Sequence, residues 1–148
     1  MKDYEINENT LALIAVDKEK TRVYEIDNEY VIHQSATKIM EDSCAYFGSS
    51  LLGRQKGTQA LIGVTHKAPV IVEESSEIIF FPTLSPRLWS CSWISLNNFD
   101  KVIKRDRRNY ILFKNKKVLP LNLSVGIINN QMLRATRLES VIRNRKKQ

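Results

Sequence analysis

The chain has 148 residues, of which 23 are Lys or Arg and 16 are Asp or Glu, giving a formal net charge of +7. Hydrophobic residues make up 43% and charged residues 26%, a composition typical of folded rather than disordered proteins. This length predicts one domain over residues 1–148, with a basic end at about 143–148. No apolar run has the length of a membrane-spanning helix, and the acidic N-terminus does not resemble a secretory signal. We therefore expect a cytoplasmic protein with no membrane partner.

The first third of the chain alternates polar and branched apolar residues. This pattern predicts short strands at Leu11–Val16, Thr21–Ile26 and Glu29–His33. Polar residues at 17–19 and the pair Asp27-Asn28 predict the turns that separate these strands.

Helical signals follow the predicted strands. Ser35 can cap a short helix over Ser35–Met40. The next segment, Cys44–Thr58, contains three glycines spaced five and four residues apart, and it offers Ser49 and Ser50 as helix caps. We therefore predict a short, Gly-interrupted helix near 49–57.

The rest of the chain predicts more strands and one long helix. The strands are predicted at Ala60–Thr65, Val70–Val72, Ile78–Phe81, Cys91–Leu96, Val102–Lys104, Tyr110–Phe113 and Val118–Leu121. Ser124 can cap the C-terminal helix, since apolar residues from Ile128 to Ile142 recur on one helical face. Together these elements predict a β-rich α+β fold with antiparallel hairpins.

The charge is distributed unevenly along the chain. Residues 1–42 carry ten acids and five bases, residues 43–100 carry four of each, and residues 101–148 carry fourteen bases and two acids. The three segments therefore have net charges of −5, 0 and +12. A block this basic attracts polyanions, and nucleic acid is the most common polyanion in the cytoplasm.

Several groups of basic residues could contact phosphates. Arg54 and Lys56 lie between Gly53 and Gly57, where a backbone can approach a ligand closely and an arginine could enter a narrow AT-rich minor groove. For this segment, the alternative explanation is that the glycines only close a packed turn. For the basic residues of the hairpins, it is protection of a sheet edge, and for the arginines of the C-terminal helix, it is an ordinary solvated helix face. The other groups are Lys101, Lys104, Arg105, Arg107 and Arg108 at one predicted turn, Lys114, Lys116 and Lys117 at the next, and Arg134 and Arg137 on the helix.

Two segments resemble catalytic motifs, but neither motif is complete. The segment Gly48–Gln55 has the glycine spacing of a phosphate-binding loop, but Arg54 replaces the required lysine and Gln55 the required hydroxyl. Ser35 and Lys38 have the spacing of the serine-lysine motif of penicillin-binding enzymes, but neither companion motif of those enzymes follows. We therefore expect no catalytic residue and no enzymatic activity.

Metal ligands are not clustered in the sequence either. The candidate soft ligands are Cys44, Cys91, His33 and His66, and no two of them have the short spacing of a zinc clip. We expect two reduced, buried thiols, no bound metal and no cofactor.

Four sequence blocks occur in an order that resembles a known family. They are DSCAYFGSSLLGRQKGT (Asp42–Thr58), THKAPVIV (Thr65–Val72), IFFPTLS (Ile79–Ser85) and CSWIS (Cys91–Ser95). Their order and spacing are similar to those of the competence transcription factors of Gram-positive bacteria, the ComK family. The later block MLRATRLES, Met132–Ser140, resembles the helix of that family.

The resemblance implies a DNA-binding activator of competence genes for DNA uptake. It implies binding to paired AT-rich boxes in double-stranded DNA, largely through the minor groove, by dimers that pair into tetramers. Nucleoid association and a contact with RNA polymerase would follow. Some family members carry a longer C-terminal tail used in adaptor-directed proteolysis, and this sequence departs from them soon after Lys147, so the resemblance leaves that control an open question.

The family motifs and the basic clusters together define the candidate DNA-binding residues. The motif positions are Phe47–Ser50, Gly53–Thr58 and His66-Lys67. The complete candidate set is Ser49, Ser50, Arg54, Lys56, Lys67, Lys104, Arg105, Arg107, Arg108, Arg134 and Arg137.

Two other functions remain open from the sequence alone. An RNA-binding module would need exposed aromatic residues on a sheet, for which Tyr110 and Phe113 are the candidates. A protein-interaction regulator that no longer binds DNA would keep the same apolar family positions.

Overall fold

The computed structural model describes residues 3–147, and within that range nine strands form two antiparallel sheets. Six strands form the larger sheet in the order β3-β2-β1-β6-β5-β4, and three form the smaller sheet in the order β7-β8-β9. The strands are β1 (Thr10–Asp17), β2 (Lys20–Glu25), β3 (Glu29–Ile32), β4 (Val70–Glu73), β5 (Ile78–Pro82), β6 (Trp93–Ser95), β7 (Phe99–Arg105), β8 (Arg108–Phe113) and β9 (Val118–Leu121).

Both faces of the larger sheet are buried along β4, β5 and β6, whereas β2 and β3 leave one face largely exposed. Successive residues of a strand point to opposite faces, and on β5 Ile78 and Phe80 enter one core whereas Ile79 and Phe81 enter the other. The first core also contains apolar residues of the helix Ala36–Tyr46 (α1) and of the N-terminal segment. The second core joins the larger sheet to the smaller sheet and to the helix Val125–Lys146 (α3). The larger sheet is therefore the central layer of the molecule.

Side-chain caps fix where the helices begin. The Oγ atoms of Ser35, Ser50 and Ser124 accept hydrogen bonds from the backbone N–H groups three residues ahead. Ser35 precedes α1, Ser50 precedes the helix Leu51–Ile62 (α2), and Ser124 precedes α3. Ser35, Ser50 and Ser124 are thus confirmed as caps, whereas Ser49, which the sequence also offered, precedes the N-cap of α2. Helix α1 extends beyond the predicted end at Met40.

The prediction of a strand over Ala60–Thr65 is wrong, because α2 continues through Ile62. The helix ends at Gly63, which adopts a left-handed conformation with φ of 74° and donates its N–H to the Gln59 carbonyl. Branched residues at 62–65 resemble a strand, but the Thr58 hydroxyl donates to the Pro69 carbonyl at 2.6 Å and holds this part of α2 beside β4.

A helix near 49–57 is confirmed, but it is not interrupted. Gly53 and Gly57 lie inside α2, and the break between α1 and α2 falls at Gly48, whose φ is 83°. A Cβ atom at Gly53 would lie 3.0 Å from the Ser50 Oγ, so a glycine here leaves room for the capping hydroxyl. The glycines therefore shape the helix start and its surface rather than ending the helix.

The predicted fold class and the remaining predicted elements are confirmed. The other predicted strands and the long C-terminal helix are present, and the fold is a β-rich α+β structure with antiparallel hairpins. On α3 the buried face includes the polar residue Gln131 in addition to apolar residues such as Ile128 and Leu138. None of the helices within residues 3–147 has the length and apolarity that crossing a membrane requires.

Candidate nucleic-acid interface

Helix α2 separates two basic grooves. Residues two positions apart in an α-helix point in roughly opposite directions, so Arg54 and Lys56 emerge on different sides of α2. We call the groove beside Lys56 the Lys56 groove and the one beside Arg54 the Arg54 groove. The two basic residues of the glycine-rich segment therefore belong to different surfaces.

The Lys56 groove contains three basic side chains from three different segments. It has a volume of about 670 Å³ and runs between α2 and the two loops around 65–68 and 85–87. Lys56 comes from α2, Lys67 from the first loop and Arg87 from the second. Its lining residues are Thr37, Glu41, Leu51, Leu52, Gln55, Lys56, Gln59, Thr65, His66, Lys67, Ala68, Ser85, Pro86 and Arg87.

Helix α3 holds the loop that carries Lys67. The buried Gln131 side chain donates through Nε2 to the Lys67 carbonyl at 2.9 Å and to the Pro82 carbonyl at 2.8 Å. Arg134 donates through Nη1 to the His66 carbonyl at 3.1 Å. Lys67 itself adopts a positive φ of 49°, which is uncommon for a residue other than glycine. These contacts fix one wall of the Lys56 groove.

The Arg54 groove lies between α2 and the end of α3. It has a volume of about 450 Å³, and Arg145 and Lys146 of α3 line it opposite Arg54. Gly53 and Gly57 form part of its wall, and a Cβ atom at Gly57 would meet no atom within 4 Å. The Nε of Arg54 is buried and has no hydrogen-bond partner among the described residues.

The two serines before α2 have different positions. The Ser50 Oγ caps α2 by accepting from the Gly53 N–H at 2.9 Å, so this exposed residue has a structural role whatever else it contacts. Ser49 lines the Arg54 groove.

The basic residues of the first predicted hairpin surround its tip. Arg105 and Arg108 pair across the hairpin, and Asp106 and Arg107 form its turn with φ values of 50° and 67°. Lys104 is the next residue inward on β7 and is exposed. Arg107 and Arg108 line a third groove, of about 520 Å³, together with Asn109 and residues 120–124. The hairpin tip is thus a separate basic surface.

The two candidate arginines of α3 differ in exposure. Arg134 is half-buried and is held by the His66 carbonyl and by the Gln131 Oε1 at 3.4 Å. Arg137 lies one turn further along and is exposed.

The candidate cations have no carboxylate partners within residues 3–147. The ion pairs in this range use Arg22, Lys38, Lys117 and Arg143. Lys117, for example, contacts Glu29 at 2.9 Å and also lies over the Tyr24 ring. The cations of the Lys56 groove, the Arg54 groove and the hairpin tip therefore keep their charges free for an external anion.

The two cysteines are free and buried, as predicted. Burial raises the pKa of the Cys44 thiol to about 11, an effect that the nearby Arg54 guanidinium opposes, and burial also raises the pKa of Cys91 to about 11. Both thiols are therefore protonated and unreactive near neutral pH. Within the described part of the chain, no three His, Cys, Asp or Glu residues are grouped so that they could hold a metal ion.

Arg87 is a candidate residue that sequence reasoning missed. Arg87 lies in the segment 43–100, whose net charge is zero, so the distribution of charge along the chain does not identify it as a candidate. The available signal is local, since Arg87 follows Pro86 in a turn and precedes two large apolar residues, Leu88 and Trp89.

Comparisons with known proteins agree with the sequence blocks. The profile of the family described as ComK protein matches residues 1–147. A competence transcription factor of Bacillus subtilis (strain 168) is 30% identical over 151 aligned positions, which cover 98% of this chain and 78% of that relative. No solved structure matches the chain.

Proposed function

The chain belongs to the ComK family of competence transcription factors, and from this premise we propose that it is a DNA-binding activator of competence genes. The family is one of transcription factors, which are not a class of enzymes. The observation that supports DNA binding is the set of basic side chains around α2 and the β7–β8 hairpin that have no carboxylate partner among residues 3–147. Such cations gain free energy when they replace the counterions of a phosphate backbone.

The proposal includes a preference for AT-rich DNA. A-tracts have a narrow minor groove with a strongly negative potential, which attracts arginine and lysine side chains. The Lys56 groove offers Lys56 on α2 and Lys67 and Arg87 on loops that are hydrogen-bonded to α3 and α1, and the Arg54 groove offers Arg54, Arg145 and Lys146. The hairpin tip adds phosphate contacts that are independent of sequence.

The test measures binding to two duplexes of equal length by fluorescence anisotropy at several salt concentrations. One duplex carries two A-tract/T-tract boxes and the other is GC-rich. We expect tighter binding to the AT-rich duplex, with an affinity that falls steeply as salt rises. Equal affinity for both duplexes would contradict the specific activator, and no salt-dependent binding to either would contradict the DNA-binding function.

The RNA-binding alternative loses its structural basis. Phe113 is fully buried in the second core, so it cannot stack on a base. Tyr110 remains partly accessible on β8, but one aromatic residue does not form the stacking platform that single-stranded RNA binding uses. A single-stranded RNA competitor should therefore displace the AT-rich duplex poorly.

We further propose that the protein binds paired boxes as a dimer or tetramer and that the bound complex contacts RNA polymerase. Sedimentation of the protein on duplexes with one and with two boxes tests the stoichiometry. One bound chain per two-box duplex would contradict the oligomeric part of the proposal alone.

A further inference from the structure

Two large apolar side chains are exposed together in the loop between β5 and β6. Leu88 is 52% exposed and Trp89 is 47% exposed. The other tryptophan of the chain, Trp93, is fully buried. Exposure of adjacent large apolar residues leaves apolar surface in water, and such surface is characteristic of interaction sites.

Backbone hydrogen bonds close the base and the turn of this loop. The Thr83 and Ser92 backbones are joined by a hydrogen bond of 2.9 Å, and the Leu88 carbonyl accepts from the Cys91 N–H at 3.0 Å. The Leu88 N–H donates to the Ser85 carbonyl at 3.0 Å. Leu88 and Trp89 are therefore presented by a preformed turn.

A second anchor connects the loop to α1 and to the first core. The Thr37 hydroxyl donates to the Pro86 carbonyl at 3.3 Å and accepts a hydrogen bond from the Trp93 Nε1 at 3.3 Å. Trp93 lies in the first core. The core thus supports the turn from below, and little conformational entropy would be lost when it binds a partner.

The same loop forms one wall of the Lys56 groove. Ser85, Pro86 and Arg87 line the groove, and Leu88 and Trp89 follow directly. Leu52, which is 61% exposed, lies on the α2 side of this groove. The apolar pair therefore adjoins a basic groove, an arrangement complementary to DNA, whose charged backbone flanks apolar base stacks.

From this arrangement, and resting on the proposed DNA-binding function, we propose that Leu88 and Trp89 form a wedge that inserts between base pairs of DNA seated in the Lys56 groove. Proteins that bind the minor groove insert apolar side chains in this way and kink the duplex. Pyrimidine–purine steps such as TA unstack most easily, so a wedge would favour AT-rich sequences containing these steps. Leu88 and Trp89 are then specificity-determining residues that carry no charge.

The experiment uses the full chain and a two-box duplex with 2-aminopurine beside a central TA step. Base unstacking raises 2-aminopurine fluorescence, and energy transfer between end labels reports the bend. We expect the wild-type protein to raise the 2-aminopurine fluorescence and bend the duplex, and we expect the duplex to quench the part of the tryptophan emission that Trp89→Ala lacks. Trp89→Ala and Leu88→Ala should each reduce the fluorescence rise and the bend, with about a tenfold loss of affinity for Trp89→Ala.

Leu133→Ala provides a matched control, because Leu133 is 61% exposed on α3 and does not line the Lys56 groove. This variant should behave as the wild type in all three measurements. Thermal melting of each variant checks that the fold is retained, which we expect because all three side chains are exposed.

The outcomes separate this inference from the proposed function. Wild-type protein that binds the duplex without changing 2-aminopurine fluorescence or bend would overturn the wedge alone. Trp89→Ala protein that bends DNA normally but fails in transcription with RNA polymerase would also overturn the wedge and assign the pair to the polymerase. Trp89→Ala protein that bends DNA normally but has a changed oligomeric state would overturn the wedge and assign the pair to a contact between copies of the chain. No binding to any duplex would overturn the proposed function and this inference together.

Discussion

Ser50 has a structural role that can be separated from its candidate role in DNA binding. Its Oγ caps α2, and its side chain is exposed next to the Arg54 segment. Aspartate caps helices about as well as serine does, but it adds a negative charge that phosphates repel. The two roles therefore respond differently to two substitutions.

We expect Ser50→Ala to lower the free energy of unfolding by ~1 kcal/mol, as is usual for loss of a helix cap. Ser50→Asp should keep the stability of the wild type and weaken DNA binding. Urea unfolding measures the stability, and anisotropy with the AT-rich duplex measures the binding. Wild-type affinity in Ser50→Asp would restrict Ser50 to capping and remove it from the interface.

The buried thiols predict sensitivity to alkaline pH. The pKa of each thiol is about 11 in the folded protein, above the ~8.5 of an exposed cysteine. The unfolded chain therefore releases these protons first as pH rises, and the stability from burying neutral thiols, complete below about pH 8, is lost progressively toward pH 11. We expect the free energy of unfolding to fall over this interval. Cys44→Ala/Cys91→Ala protein should show a shallower decline, and an equal decline would contradict the assignment.

Helix α2 and the β7–β8 hairpin present basic residues in different ways. The Lys56 groove combines three segments around a concave surface, whereas Arg105 and Arg108 project from a hairpin tip. The Lys56 groove also adjoins the apolar pair Leu88 and Trp89, which we propose enters the base stack, whereas we expect the cations of the hairpin tip to contact phosphates. We therefore expect the Lys56 groove to determine selectivity for AT-rich DNA and the hairpin tip to add affinity for DNA of any sequence.

This division predicts two classes of variant. Arg105→Ala/Arg108→Ala should weaken binding to AT-rich and GC-rich duplexes by the same factor, and each lost phosphate contact should reduce the salt slope by ~0.9. Lys56→Ala/Arg87→Ala should also reduce the ratio of the two affinities. Lys18→Ala, which removes an exposed lysine from the β1–β2 turn, is the control and should leave both affinities unchanged. A constant affinity ratio in the groove variant would contradict the division.

The elements could be predicted from the sequence wherever local pattern decides the structure. Alternation identified the hairpins, and the caps Ser35, Ser50 and Ser124 marked the helix starts. Local pattern failed at Ala60–Thr65, since branched residues there favour a strand but α2 packs beside β4 and continues to Gly63. Tertiary contacts override intrinsic preference in such segments.

The site was less predictable than the fold because its residues are brought together by distant segments. Lys56 and Lys67 were candidates from the glycine-rich motif and its neighbour, but Arg87 joins them only because the β5–β6 loop folds back against α1 and α2. The separation of Arg54 from Lys56 likewise depends on α2 being one continuous helix. Sequence pattern identified charged residues, whereas the grooves required the fold.

Helix α3 packs against strands of both sheets and against α2. Its residues Leu138 and Ile142 lie in the second core with side chains from both sheets, and Gln131 holds the loop of Lys67. The first core lies across the larger sheet and includes Trp93. Because the larger sheet contributes residues to both cores, we expect a disturbance of the second core to reach the first.

Leu138→Ala tests this coupling. Removing a fully buried leucine should lower the free energy of unfolding by about 2–5 kcal/mol. In a Trp89→Phe background, Trp93 is the single tryptophan and reports the first core. Its fluorescence and the far-UV circular dichroism should then change at the same urea concentration, and both midpoints should fall together in Leu138→Ala. Different midpoints for the fluorescence and circular dichroism transitions would show that the two cores unfold independently. In that case α3 would position the interface without stabilising the first core.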